Sequence, residues 1–184
     1  MPRNILKSAI IVISILFLAL AFSGCDLLTN LIGGGPSVDP ITIPDSVDAD
    51  PAYASLESDF FTAINNDRVG ASVATFAATD PSLDALARRY AKVGACDTYP
   101  ENLKDRVAAA IGSCSDAAFF LGGSTTLSNY VSTLMSAWLA QPNGATTMRN
   151  TGFTKIGIGM TVGTLAGLAP GDTWHSVVVL LAKP

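Results

Sequence analysis

The chain has 184 residues, 49% of them hydrophobic, with 11 basic and 15 acidic residues and a formal net charge of −4 at pH 7. This length suits one domain preceded by targeting and linking segments. Removal of a leader that contains Arg3 and Lys7 leaves nine basic residues against 15 acidic ones, so the mature chain carries about −6. This acidic balance disfavours nucleic acid or an anionic lipid surface as a partner.

The first 24 residues have the pattern of a signal peptide. A short basic region precedes an apolar run from Ala9 to Phe22, which is shorter than the roughly 20 residues of a membrane-spanning helix. The tripeptide Ser23-Gly24-Cys25 then resembles a bacterial lipobox. The resemblance implies a lipoprotein signal peptide over residues 1–24 and a bilayer anchor of palmitate-like acyl chains on Cys25. An ordinary secretory signal, with Cys25 as an unmodified thiol, is the alternative.

The cysteine count fits an exported lipoprotein. Assigning Cys25 to lipid leaves Cys96 and Cys114, which we expect to form a disulfide in an oxidising compartment. Closing that loop would contribute on the order of 3 kcal/mol to stability. A zinc site is disfavoured because a third and a fourth soft ligand are missing.

Residues 25–50 predict a lipidated cysteine followed by a flexible tether. They contain Gly33-Gly34-Gly35-Pro36, further prolines and scattered aspartates, without a helical or strand period. The remaining residues, 51–184, predict one domain.

Four helices are predicted in the first part of this domain. Asp50-Pro51 and Asp80-Pro81 each place an N-cap before a proline at the first helical position. Apolar residues then recur every three or four positions, as on the buried face of a helix. The predicted helices run from Pro51 to about Asp67, from Pro81 past Ala91, from about Pro100 to Gly112, and from about Thr125 to Ala140 with Leu127 and Trp138 on the buried face.

After Pro142 the apolar period changes from near four to two. The alternation of large residues with Gly157 and Gly159 predicts a strand that another backbone or side chain approaches closely. A loop is predicted from Gly163 to Thr173. The β-branched and leucine run from Ser176 to Ala182 predicts a central strand covered on both faces. Helices followed by strands favour an α+β class, with helices on a small, mainly antiparallel sheet.

Two stretches resemble the SCP-like domain of the CAP superfamily. "INNDRVG" (64–70) with "ATDPSLDAL" (78–86) is similar to the family's Asn-x-x-Arg helix end and Trp-Asp-Pro-x-Leu helix start. "WLAQPNGATTMRNTGFTKIGIG" (138–159) is similar to the family's Trp-x-x-Ser-Pro-x-His-Arg-x-x-Ile-Leu-Asn-x-x-Phe-Thr-x-Ile-Gly-Ile-Gly. The resemblance covers roughly Tyr53 to Ala182 and implies an α-β-α sandwich.

The resemblance fails at the family's metal-binding residues. Many members bring two histidines and two glutamates into one cleft. The offset from Trp138 puts Gly144 at one histidine position, and the resemblance puts Ala118 at one glutamate position. No histidine occupies the other position, near residues 96–98. An alternative register aligns Glu101 with the glutamate, but a single carboxylate makes no metal site. The resemblance therefore implies no metal, no other cofactor and a domain without enzymatic activity.

His175, the only histidine, offers a different chemistry. A hydrogen-bonded or exposed histidine at the start of a strand is the favoured interpretation. A rearranged hydrolase site that pairs His175 with Asp172 is the alternative, although no Gly-x-Ser-x-Gly elbow presents a serine. The glycines and hydroxyls from Gly122 to Thr126 predict a loop followed by a helix cap. A phosphate-binding loop is disfavoured, because its lysine is missing.

The favoured hypothesis is a membrane-anchored domain in the cell envelope, facing the periplasm or the exterior. It would bind an envelope protein or a small apolar, lipid-like ligand. The alternatives are the His175 hydrolase and a purely structural envelope lipoprotein.

Overall fold

A computed structural model describes residues 43–93, 102–163 and 168–184. In these residues a 3₁₀ turn at Pro51–Tyr53 precedes five helices and three strands. The helices are α1 (Ala54–Gly70), α2 (Pro81–Val93), α3 (Leu103–Ile111), α4 (Tyr130–Ala140) and α5 (Gly144–Met148). The strands are β1 (Asp116–Ser124), β2 (Lys155–Val162) and β3 (His175–Lys183).

The sheet is built around β3. The strand order is β1-β3-β2 and both pairings are antiparallel, with Val179 opposite Phe120 on one side and Ile158 on the other. Every residue of β3 from Ser176 to Ala182 is buried. The prediction of a central strand covered on both faces is confirmed.

Helices pack on both faces of this sheet. Val177, Val179 and Leu181 of β3 belong to a core cluster shared with α1, α4 and α5, whereas the intervening Val178 and Leu180 belong to a cluster shared with α2 and α3. The alternation of side chains along a strand therefore separates two helix layers. The predicted α+β class and the helix–sheet–helix sandwich are confirmed.

The glycines of β2 allow α2 to lie directly on the strand. A Cβ atom added to Gly157 would lie 2.3 Å from Cβ of Leu83, and one added to Gly159 would lie 2.2 Å from the backbone nitrogen of Arg88. Any side chain at these positions would push the helix away from the sheet. The predicted close approach is confirmed, and its partner is the backbone of α2.

Groups from α1 and α2 also occupy the outer edge of β2. Such contacts satisfy backbone groups that an edge strand leaves unpaired and block the addition of another strand. The contacts are Asp80 N–H to Ile156 O (2.8 Å), Ile158 N–H to Asp84 Oδ1 (2.8 Å), Met160 N–H to Glu57 Oε1 (2.9 Å) and Lys92 Nζ to Val162 O (3.1 Å).

The Arg68 side chain joins three segments of the chain from within the core. It is 2% exposed, stacks 4.2 Å from the centroid of the Phe76 ring, and donates to Ala74 O at 2.7 Å and Met148 O at 2.8 Å. Longer contacts reach Asn150 O and Phe153 O. The guanidinium thus links the end of α1 to the following loop and to the segment between α5 and β2.

Asn65, the other residue of the Asn-x-x-Arg motif, holds the same loop. Its amide accepts from Phe76 N–H at 2.9 Å and donates to Phe76 O at 3.1 Å. The motif that resembles the CAP superfamily therefore stabilises the fold in this chain.

The sequence did not predict β1. Phe119, Phe120 and Leu121 were expected in the core, but Gly122 to Ser124, expected in a loop, complete this strand. Its alanines and glycines have low strand propensity, so only Phe119 and Phe120 favour a strand locally. It is extended because nine of its residues pair in unbroken register with β3.

The helix boundaries also differ from the prediction. α4 begins at Tyr130 and not near Thr125, because Asn129 takes a left-handed conformation (φ 54°). Leu127 therefore lies outside the helix and is 38% exposed, although it was expected to be buried. The short helix α5 was not predicted. α1 continues to Gly70, beyond the expected end, and α3 begins at Leu103.

We expect Arg68→Lys to lower the free energy of unfolding by about 2–4 kcal/mol, because an ammonium group cannot reach the same set of buried carbonyls. Urea unfolding of the two proteins measures the difference. Arg149→Gln is the matched control, since Arg149 pairs with Asp67 on the surface and its side chain is 41% exposed. Losses of equal size in the two variants would contradict the role given to Arg68.

The carboxylates at the two ends of the first turn of α2 have opposite pKa shifts. Burial raises the pKa of Asp84, and the hydrogen bonds that it accepts offset this only in part. Burial acts in the same direction on Asp80, but hydrogen bonds from Lys155 Nζ and from two backbone N–H groups of α2 outweigh it and lower the pKa of Asp80.

Asp80→Asn should therefore destabilise the protein at pH 7, because the ionised Asp80 stabilises the fold above its unfolded pKa of about 3.9. This difference should disappear as the pH falls through the folded-state pKa of Asp80. Asp84→Asn should leave stability at pH 7 unchanged or higher, because a raised pKa means that ionised Asp84 costs stability above that pKa. Urea unfolding across a pH series measures both effects, and a greater loss at pH 7 for Asp84→Asn would contradict them.

Candidate functional site

The first candidate position is Gly144, where the resemblance places a metal-binding histidine. Pro142 follows the end of α4, and Asn143 turns the chain with φ 65°, so that Gly144 starts α5 against the last turn of α4. A Cβ atom added to Gly144 would lie 1.9 Å from the carbonyl oxygen of Trp138. The backbone here therefore excludes every residue with a side chain.

The second candidate position is Ala118, where the resemblance places a glutamate. Ala118 lies on β1 opposite Leu181, is 9% exposed, and belongs to the core cluster beneath α1, α4 and α5. A carboxylate there would lie among apolar side chains. Both positions are thus filled by close packing.

Aromatic side chains fill the same side of the sheet. The Trp138 ring lies 5.5 Å from the Phe60 ring and 5.8 Å from the Phe120 ring, measured between centroids. Trp138 is fully buried and donates from Nε1 to the carbonyl oxygen of Leu121 at 3.0 Å.

His175, at the start of β3, is held by two tyrosines. The hydroxyl oxygen of Tyr53 lies 2.6 Å from Nδ1 of His175, and the hydroxyl of Tyr130 donates to the backbone oxygen of His175 at 2.7 Å. Tyr53 belongs to the 3₁₀ turn before α1, and Tyr130 begins α4. The histidine therefore connects the beginning of the domain to its central strand.

The pKa values of both tyrosines are raised, so both phenols keep their protons. Burial raises the pKa of Tyr130, with a further increase from Tyr53, and burial together with Asp50 raises the pKa of Tyr53. The hydroxyl of Tyr53 and Nδ1 of His175 share one hydrogen bond, and the histidine tautomer decides which of the two donates. Sequence patterns gave no signal for this cluster, since its members are far apart along the chain.

The pairing of His175 with Asp172 is not formed. The ring bonds to Tyr53, and among the described residues no carboxylate makes an ion pair or a hydrogen bond with it. The backbone N–H of Asp172 donates to Ala169 O at 3.0 Å, and its side chain is exposed. The acid of the proposed hydrolase site is therefore not in place.

The remaining predicted positions lie partly outside the described residues. Cys25, Cys96 and Glu101 are outside them, so the Cys96–Cys114 disulfide stays a prediction. Cys114 is half-buried, and its Sγ donates to the backbone oxygen of Asp116 at 3.0 Å.

Within the described ranges no group of three or more His, Cys, Asp or Glu side chains is placed to hold a metal ion. In the same ranges no helix is long and apolar enough to span a membrane.

Comparisons with known proteins support the fold. No protein-family model and no curated protein matches the chain. An outer surface protein from Borrelia burgdorferi has a similar structure, with a TM-score of 0.55 and 20% identity over 75% of this chain and 96% of that one. MpPR-1i, a pathogenesis-related protein of the CAP family, matches with a TM-score of 0.49 and 18% identity over 74% of this chain and 91% of its own. The likeness to the Borrelia protein shows a shared α+β fold.

We expect Gly144→Ala to lower the free energy of unfolding by about 3 kcal/mol, because the added Cβ must displace the last turn of α4. Gly144→His should be at least as destabilising and should not create a metal site. Gly70→Ala is the matched control, since a Cβ atom there meets nothing within 4 Å. Thermal unfolding with and without zinc measures both effects, and a zinc-stabilised Gly144→His protein would show that this position is open.

Proposed function

We propose that this chain is a lipid-anchored, CAP-like domain of the cell envelope that acts by binding a partner and not by catalysis. The observation that carries the proposal is the close packing at Gly144 and Ala118, where the resemblance would place metal ligands. A site of this kind needs side chains with free electron pairs, and neither position can present one.

The envelope location is supported by the N-terminus and by one structural neighbour. The lipobox-like sequence that ends at Cys25 supports acylation and export. The neighbour from Borrelia burgdorferi is described as an outer surface protein, and a similar placement would suit this chain.

A protein partner is favoured over a small apolar ligand inside the domain. The rings of Phe60, Phe120 and Trp138 pack against one another between the sheet and the helices. A ligand in that layer would have to displace buried aromatic contacts, whereas a partner on the surface would not.

The full-length protein should partition into the detergent phase of Triton X-114 when it is produced in a bacterium with lipoprotein-processing enzymes, because acyl chains on Cys25 would hold it there. Cys25→Ser should move it to the aqueous phase, and Cys114→Ser, the control, should not. Incorporation of labelled palmitate gives a direct second measurement.

Aqueous partitioning of the wild-type protein without label would refute the anchor. The proposed lack of catalysis has its own test. A panel of ester and peptide substrates is incubated with the wild-type protein and with His175→Gln. We expect no turnover that depends on His175. Hydrolysis that is lost in His175→Gln would favour the hydrolase instead.

A further inference from the structure

Asn143-Gly144 is the only Asn-Gly pair in the chain, and the corner between α4 and α5 accounts for both residues. Asn143 has φ 65°, a left-handed conformation that asparagine adopts more readily than most residues. Gly144 packs against the carbonyl oxygen of Trp138, where no side chain fits. The geometry of the corner therefore favours the two residue types that stand there.

An asparagine followed by glycine can convert to aspartate or isoaspartate without an enzyme. The backbone nitrogen of Gly144 loses its proton and attacks Cγ of Asn143, an N–Cγ bond forms, and Nδ2 takes up a proton and leaves as ammonia. Water then opens the resulting succinimide. Cleavage of its N–Cγ bond gives aspartate, whereas cleavage of its bond to the main-chain carbonyl carbon gives isoaspartate. No atom is oxidised or reduced, and glycine hinders the attack least because it has no side chain.

The Asn143 side chain is accessible, but the folded corner holds the backbone away from ring closure. The residue is exposed, and among the described residues none forms a hydrogen bond with its side-chain amide. At ψ 0° the Gly144 nitrogen is aligned with the backbone nitrogen of Asn143, whereas a succinimide needs it aligned with Cβ. The Gly144 N–H also donates to Gln141 O at 2.9 Å, and Thr147 N–H donates to Asn143 O at 2.8 Å. Cyclisation therefore requires that these two hydrogen bonds break and that the start of α5 rotates.

We propose that Asn143 is a deamidation site that the folded corner keeps closed, and that isoaspartate formation there acts as a one-way switch. The site opens when α5 separates from α4, and isoaspartate then prevents the corner from re-forming. The main chain of an isoaspartate runs through Cβ and Cγ, which lengthens the connection to Gly144 by one bond of about 1.5 Å. Gly144 has no room for this shift, since even one added carbon would lie 1.9 Å from Trp138 O.

The consequence reaches the core through the end of α5. Nη1 of Arg68 donates to the carbonyl oxygen of Met148, the last residue of that helix, at 2.8 Å. A displaced α5 moves this acceptor, and a buried guanidinium that loses an acceptor destabilises the fold. Isoaspartate at position 143 therefore converts a brief local opening into a lasting loss of stability.

Peptide mapping by mass spectrometry tests the closed site. Deamidation of Asn143 is followed at mildly alkaline pH in the folded protein and in the same protein unfolded in guanidinium chloride. We expect the folded protein to react at least about ten-fold more slowly, because only its open fraction can cyclise. Asn102 and Asn129 are internal controls, since both are left-handed and stand directly before a helix. Neither is followed by glycine, so both should react far more slowly than Asn143 in the unfolded chain.

Refolding of the reacted protein tests the switch. Chains with isoaspartate at position 143, identified by enzymatic methylation, should be depleted several-fold from the fraction that regains protease resistance. Asn143→Asp is the matched control, because it adds the same negative charge without lengthening the main chain, and it should refold like the wild type. The charge itself is a useful label, since residues 117–148 contain no other Asp, Glu, Lys, Arg or His.

Three results would overturn the proposal. An Asn143 that stays intact in the unfolded chain would remove the site. Equal rates in the folded and unfolded protein would show that the corner does not close it. Isoaspartate chains that refold as fully as Asn143→Asp would show that the corner tolerates the longer main chain and that no switch exists.

Discussion

The buried guanidinium of Arg68 is the constraint on which the arrangement of the other elements depends. A cation taken out of water must recover its hydrogen bonds inside the protein, and here the acceptors are backbone carbonyls of two separate segments. These carbonyls can surround one side chain only if the loop after α1 and the segment between α5 and β2 meet. The two stretches that resemble the CAP superfamily are thus neighbours in space. The hydrogen bonds of Arg68 and Asn65 give both stretches a role in the fold.

Local chemistry made much of this fold predictable from the sequence. The aspartate caps at Asp50 and Asp80, the glycines at Gly157 and Gly159, and the apolar run of β3 each act over a few residues, and each lies where the pattern indicated. β1 was missed because its extended form depends on pairing with a strand more than 50 residues later in the chain. The bond between Tyr53 and His175 was missed for the same reason, since 122 positions separate the two residues.

The candidate site shows a second limit of sequence comparison. The offset from Trp138 indicates only that Gly144 stands where the family has a histidine. The structure instead shows the carbonyl of Trp138 where a Cβ atom would be, so the backbone itself differs from one that could present an imidazole. A residue missing from a motif and a site closed by packing look identical in sequence. They differ in what one substitution can restore, because an emptied cleft can accept a ligand again and a packed one cannot.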